Sequence, residues 1–179
     1  PLVGDPESAE VDRRLRETPL IAYGGWHSRY PELFQKYRQE ILELFAIDPK
    51  AEEKVKGWMQ RLPEADLTLG LHIRRGDYAR WQGGKYFFDD SVYQKKIEEF
   101  VALHPGKRVN VLICTNDPQL DLASYRAVHP QVFLSEGSAI EDLSLLAHCD
   151  YLLGVKSTFS LWASVYRDLP LYWIEDRET

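Results

Sequence analysis

A chain of 179 residues, 44% hydrophobic and 28% charged, is long enough for a domain with a sizeable core and too apolar to remain disordered. Its net charge of −6 excludes a basic field over the whole molecule, and with it general binding to nucleic acid or to an anionic membrane surface. Any anion site must be built locally, from a few placed arginines.

Residues 1–20 are polar, contain proline and carry little periodicity, so they read as a loose lead-in. Gly24-Gly25 reads as a turn. From Pro31 the residues Leu33, Phe34, Tyr37, Ile41, Leu44 and Phe45 share one helical face, which reads as core. Asp48-Pro49 ends that helix and starts a second, to about Leu62, where Pro63 breaks it. The pattern then changes period. Leu67, Leu69, Leu71 and Ile73 fall on one face of a strand, and Thr68, Gly70, His72 and Arg74 on the other. A glycine-rich loop, WQGGKYFFDD, leads to a helix from about Ser91 to His104, with Asp89 or Asp90 as its cap. Val109–Cys114 reads as a buried strand. Asp117-Pro118 opens another helix. Gln131–Leu134 is a short strand, and Ser138 with Glu141 forms a capping box for a helix to about His148. Asp150–Val155 is a strand, Ser157 caps a helix to about Arg167, and Leu171–Ile174 is the last strand.

The order β-α-β-α-β-α-β-α-β predicts an α/β fold: a Rossmann-like parallel sheet with helices on both faces. The expected division is 1–62, a lead-in with inter-domain helices, and 63–179, the Rossmann-like domain. The two cysteines, Cys114 and Cys149, lie in apolar runs without a CxxC or zinc spacing, and read as reduced core residues. No apolar run is long enough to span a bilayer. The expected compartment is the cytoplasm, with peripheral membrane association left open. The chain begins at Pro1, without Met, and is expected to be part of a longer protein.

Ligands of open α/β sheets bind beyond the carboxyl ends of the strands. One strand ends in Arg74-Arg75, another in Thr115-Asn116-Asp117, and a third in Lys156-Ser157-Thr158 at a helix start. A helix N-terminus offers N–H groups and a positive dipole end to an anion. An arginine fork grips phosphate oxygens in pairs. Together these groups suit a diphosphate. Each has a plainer reading as well: surface ion pairs for the arginines, a helix cap for Ser157, Thr158 and Asp117, a dipole partner for Asp142, a satisfied core histidine for His72. Neither GxGxxG nor a Walker A pattern is present. No histidine spacing suggests a metal, and none is expected.

Taken together, HIRRGDY, CTNDPQL and EDLSLLAHCDYLLGVKSTFSLWASVY resemble the fucosyltransferase superfamily, with the nearest likeness to bacterial α-1,2-fucosyltransferases. The His-x-Arg-Arg-x-Asp signature is matched by His72, Arg74, Arg75 and Asp77. Asp142, Asp150 and Ser157-Thr158-Phe159-Ser160 match a later signature, and Thr115-Asn116-Asp117 loosely matches a third. YGGWHSRYPELFQKYRQEILELF is similar to the family's inter-domain helical region. The resemblance implies half of a GT-B glycosyltransferase that inverts configuration without a metal, with GDP-fucose as donor substrate and a glycan hydroxyl as acceptor. It implies that Arg74 grips the β-phosphate and stabilises leaving GDP, that Arg75 shapes the same pocket, and that Ser157, Thr158 and Phe159 line the diphosphate. His72 and Asp142 would face the guanine. The general base is left among Asp77, Asp89 and Asp90, with Asp77 alternatively orienting the arginines. Lys156 and Leu161 depart from the usual residues around STFS, and the family's first half is expected ahead of Pro1. Two other readings stay open: a non-catalytic nucleotide-binding or interaction domain of this fold, and a structural α/β domain whose arginines are surface pairs.

Overall fold

The computed structural model describes residues 9–19 and 31–178. The chain divides into two compact units, Pro1–Ala46 and Ile47–Thr179. In the first, α1 spans Ala9–Glu17, where a loose lead-in was expected. Its sequence is rich in Arg and Glu, both good helix formers, and Arg13 and Glu17 pair at 2.8 Å one turn apart. The helix expected from Pro31 is two helices, α2 (Pro31–Lys36) and α3 (Arg38–Leu44), interrupted at Tyr37. Neither contains a buried residue, so their aromatic face is not the core it was read as. Gly24-Gly25 lies outside the described residues.

The second unit holds the sheet. It starts with α4 (Pro49–Met59), capped by Asp48, whose carboxylate accepts from Lys50 N–H. The expected break at residue 62 therefore falls after a helix that belongs to this unit. Val55 of α4 is buried in one cluster with Leu112, Leu145 and Leu152, which holds the helix to the sheet.

The sheet comprises β1 (Leu67–Ile73), β2 (Val109–Thr115), β3 (Val132–Leu134), β4 (Tyr151–Val155) and β5 (Leu171–Ile174). All its pairings are parallel, in the order β3-β2-β1-β4-β5. The helices are α5 (Asp90–Leu103), α6 (Leu122–Val128), α7 (Ala139–Ala147) and α8 (Thr158–Arg167). This is the predicted α/β Rossmann-like fold. The alternation in β1 sorts the core as expected. Leu69, Leu71 and Ile73 pack with Val109, Val111, Ile113, Tyr93 and Tyr125 on the α5/α6 side. The opposite face carries Leu112, Cys114 and Leu152 under α4, α7 and α8. Cys114 and Cys149 are free and buried, and burial raises both thiol pKa values well above the ordinary range.

α6 begins at Leu122, not at Pro118. Asp117 closes a short turn by accepting from Gln119 N–H, and Asp121 takes the capping role by accepting from Ala123 N–H at 3.0 Å. Either aspartate fits the capping rule; the chain uses the later one. The Ser138–Glu141 capping box forms as read, and Glu141 also meets Lys54 of α4.

Candidate functional site

The strand order decides what the site can be. The chain runs outward from β1 to β2 and β3, then crosses back to β4 on the other side of β1. The connections therefore diverge between β1 and β4, the place where open α/β sheets form their ligand crevice. Arg74 follows β1 and Ser157 follows β4, so the topology brings to one point groups that are far apart in the chain.

Direct contacts fix this convergence. His72 pairs in register with Gly154 across β1 and β4. His72 Nδ1 and Ser160 Oγ are hydrogen-bonded at 2.7 Å, and the His72 and Phe159 rings lie 4.9 Å apart. Tyr78 Oη donates to Lys156 O at 2.9 Å, tying the loop after the arginines to the end of β4. Close approach of the strands depends on Gly154. A Cβ there would lie 2.8 Å from the His72 carbonyl oxygen, a backbone atom that cannot swing away. Gly154→Ala is expected to cost about 1–3 kcal/mol, read as a lowered urea midpoint at unchanged slope.

Burial and, secondly, the Arg74 charge push the His72 pKa down to about 4. The ring is therefore neutral near pH 7. With Ser160 as partner it is a satisfied interior histidine, and it acts on the crevice by positioning the first turn of α8. In that turn Ser157 Oγ accepts from Phe159 N–H at 3.2 Å. Thr158 is exposed, and Ser157 and Phe159 are half-buried. Each helix N-terminus leaves its leading N–H groups without intrahelical partners, and α8 starts at the end of β4, the strand beside β1.

The two arginines, of which Arg74 was expected to grip the β-phosphate and Arg75 to shape the same pocket, turn to different partners. Arg74 is partly exposed and lies 5.6 Å over the Tyr78 ring. Its Nε donates to Asp77 Oδ1 at 3.0 Å. That bond holds the Asp77 carboxyl below its usual pKa, which makes it a weaker base and a good orienter of Arg74. Arg75 is buried on the other side. Its guanidinium donates to the Phe88 carbonyl and to Asp90, lies 3.7 Å from Asp117 Oδ2 and covers the Phe87 ring at 5.0 Å. Its backbone N–H donates to Asn116 Oδ1 at 2.7 Å, so β1 and β2 are clamped at their ends. Gly76, at φ +59°, then turns the chain. Strand alternation predicts this division, because neighbouring residues face opposite sides.

Asp142 sits in the first turn of α7, half-buried. It accepts from Ser135 Oγ, and its backbone oxygen faces Cys114 Sγ at 3.8 Å. Burial raises its pKa. Asp142 and His72 thus flank the same sheet end: Asp142 adjoins Cys114, and Cys114 pairs in register with His72. Asn116 was read only as part of a polar strand end and Tyr78 only within HIRRGDY; nothing in their spacing marks them as ties between strand ends. Among the described residues no group of three His, Cys, Asp or Glu could hold a metal. No helix among them is long and apolar enough to cross a membrane.

The strand order defines a doubly wound α/β unit with its topological switch point between β1 and β4. The model of glycosyl transferase family 11 matches residues 22–167, and the chain belongs to that family. It is 26% identical over 173 residues to the galactoside 2-alpha-L-fucosyltransferase Sec1 of Mus musculus, covering 86% of this chain and 45% of the relative. It is 23% identical over 169 residues to the galactoside alpha-(1,2)-fucosyltransferase 2 of Oryctolagus cuniculus, covering 86% and 46%. The chain thus spans about half the length of the curated relatives it matches. Among solved structures, POFUT1 in complex with GDP-fucose superposes with a TM-score of 0.59 at 14% identity, over 72% of this chain and 47% of that one. The NodZ alpha-1,6-fucosyltransferase soaked with GDP-fucose gives 0.50 at 17% identity, over 83% and 63%. These likenesses bear out the fold, and the family match bears out the resemblance carried by HIRRGDY and STFS.

Proposed function

We propose that this chain forms the donor-binding part of an inverting fucosyltransferase, which takes GDP-fucose and passes fucose to a galactoside hydroxyl. The single observation that carries it is the strand order, which makes neighbours of β1 and β4, the strands that Arg74 and Ser157 follow. The relatives' names supply the sugar and the acceptor class. The diphosphate lies between the Arg74 fork and the first turn of α8, through Ser157, Thr158 and Phe159. Negative charge builds on the departing GDP, and these fixed donors stabilise it where it develops. Arg75 does not touch the donor; it holds the pocket's frame through Asp90 and Asn116. Asp77 aims Arg74.

Calorimetric titration with GDP, GDP-fucose, ADP and UDP tests this reading. Tight, guanine-selective binding is the expected result. Failure to bind any guanine nucleotide ends it and leaves a structural domain. Binding in the absence of transfer to any galactoside favours a non-catalytic nucleotide-binding domain, a reading supported by the half-length match to the relatives.

The guanine face is the part assigned to Asp142. A carboxylate accepts two N–H bonds from guanine, and adenine offers no such pair. Asp142→Asn is expected to weaken GDP binding about tenfold or more, given about 1.5–3 kcal/mol for a hydrogen bond to a charged group, with ADP unaffected. Equal losses for both nucleotides would remove Asp142 from the base-reading role.

A further inference from the structure

We infer that Trp81 is a stacking platform for the galactoside acceptor, carried on the loop that follows β1. The inference rests on the donor reading above and adds a place for the second substrate.

The loop runs on from Arg74-Arg75 through two short 3-10 turns, Gly76–Ala79 and Trp81–Gly84. Three of its rings form a ladder. The Tyr78 and Trp81 centroids lie 4.9 Å apart, and those of Trp81 and Tyr86 lie 5.4 Å apart. The outer rings are buried, Tyr78 at 8% exposure and Tyr86 at 7%, while the indole between them is 41% exposed. Cations lie over both tyrosines, Arg74 over Tyr78 at 5.6 Å and Lys85 over Tyr86 at 5.1 Å. The ladder therefore offers one open ring, that of Trp81. Among the described residues of the second unit Tyr172 is the other exposed aromatic; it lies on the edge strand β5, with Lys96 Nζ 5.9 Å over its ring. Trp81 instead stands on a loop at the carboxyl end of a strand, where open α/β sheets bind their ligands.

Two contacts connect this ring to the donor site. Trp81 packs on Tyr78, and Tyr78 carries the Arg74 guanidinium over its ring while its hydroxyl donates to Lys156 O, one residue before Ser157. The indole thus lies one ring beyond the guanidinium assigned to the β-phosphate. The donor's own sugar is bonded to that phosphate, so the ring farther out falls to the acceptor. The backbone beside Trp81 is committed to this shape. Gln82 has φ 49° and ψ 39°, the left-handed region, in spite of its Cβ, and Gly83 and Gly84 follow at φ +69° and +78°. Such conformations persist where the surroundings over-determine them, and they gather at ligand sites.

Chemistry selects the occupant. A galactopyranose ring has one axial hydroxyl, which leaves the opposite face a continuous run of C–H bonds. That face is apolar and slightly positive, and it matches the negative face of an indole. The remaining hydroxyls lie around the rim, so a stacked ring keeps them uncovered.

NMR of the indole N–H groups tests this without need of turnover, the Trp81 signal being the one lost in Trp81→Leu. Methyl β-galactoside is titrated through the millimolar range, with glycerol as a hydroxyl-rich probe that has no ring, and GDP affinity is measured by calorimetry. The Trp81 signal is expected to shift with the galactoside and not with glycerol. Trp81→Leu keeps bulk but has no π face; it is expected to hold GDP within twofold of the parent and, in galactoside-dependent GDP release, to raise KM about tenfold with less effect on kcat. Trp81→Phe is expected to fall between the two. A Trp81 signal unmoved by galactoside, or a Trp81→Leu variant with parental KM, overturns the platform. A dimer of the parent that Trp81→Leu dissolves overturns it as well and gives the indole to a second copy. Loss of GDP affinity in Trp81→Leu moves the indole into the frame of the donor site. A parent that binds no GDP yet shifts its Trp81 signal with galactoside removes the donor reading and leaves the sugar platform standing.

Discussion

Arg74→Ala is expected to lower GDP affinity about 10- to 200-fold while leaving the melting temperature within a few degrees of the parent. The two halves of that statement have separate causes. Among the described residues Arg74 gives its guanidinium to Asp77, a neighbour on the same exposed turn, and lies over the Tyr78 ring. Pairs of this kind contribute about 0–1 kcal/mol, so little folding energy is lost. Toward a diphosphate the same fork makes one or two charge-assisted bonds, at about 1.5–3 kcal/mol each, and every 1.4 kcal/mol or so is tenfold in affinity. Arg74→Lys keeps the charge but not the fork and is expected to fall between parent and alanine variant. Both losses should shrink at high salt, because the site is partly open to solvent. Calorimetry giving equal GDP affinity for parent and Arg74→Ala would place the phosphate elsewhere, and the donor site would have to be drawn without this residue.

The fold was legible because β1 follows the period-two rule so cleanly. Leu67 to Ile73 announces both faces of a central strand, and the alternating helices leave little choice but a parallel sheet. Strand order is not written in the pattern. That β4 returns beside β1, and so carries Ser157 to Arg74, follows from long-range packing such as Gly154 beneath His72. The arginines show the limit from the other side. Reading Arg74-Arg75 as one anion grip followed their chemistry; the alternation that had just sorted Leu71 from His72 continues past the strand end and turns them apart. Asp89 and Asp90 were interchangeable as caps on composition. Only the three-dimensional placement of Arg75 and Tyr125 engages Asp90 and leaves the N-cap position of α5 to Asp89. The Pro31–Phe45 face failed as core for a similar reason: helical periodicity shows that a face can be buried, and no residue of α2 or α3 is.

Arg75→Ala, one residue on, is expected to do the reverse of Arg74→Ala. Arg75 is nine-tenths buried and joins the Phe88 carbonyl, Asp90 and, more loosely, Asp117, while its ring contacts reach Phe87 and Tyr93. Removing it leaves the Asp90 carboxylate with Tyr125 alone and strands a carbonyl in the interior. Breaking a buried pair from one side costs about 3–5 kcal/mol, and the partial exposure of Asp90 sets the value here toward the low end. For a domain with about 5–15 kcal/mol of total stability, that is a large fraction, visible as a much lower urea midpoint. GDP affinity, extrapolated to the folded fraction, should fall far less than in Arg74→Ala, since the Arg75 guanidinium faces away from the α8 N-terminus. A double-mutant cycle with Asp90→Asn separates a specific tie from general loss of packing. Coupling of about 0.5–3 kcal/mol marks residues in one network, and a value near zero would mean that Arg75 stabilises the sheet end by bulk alone. An Arg75→Ala variant as stable as the parent but unable to bind GDP would reverse the division of labour between the two arginines.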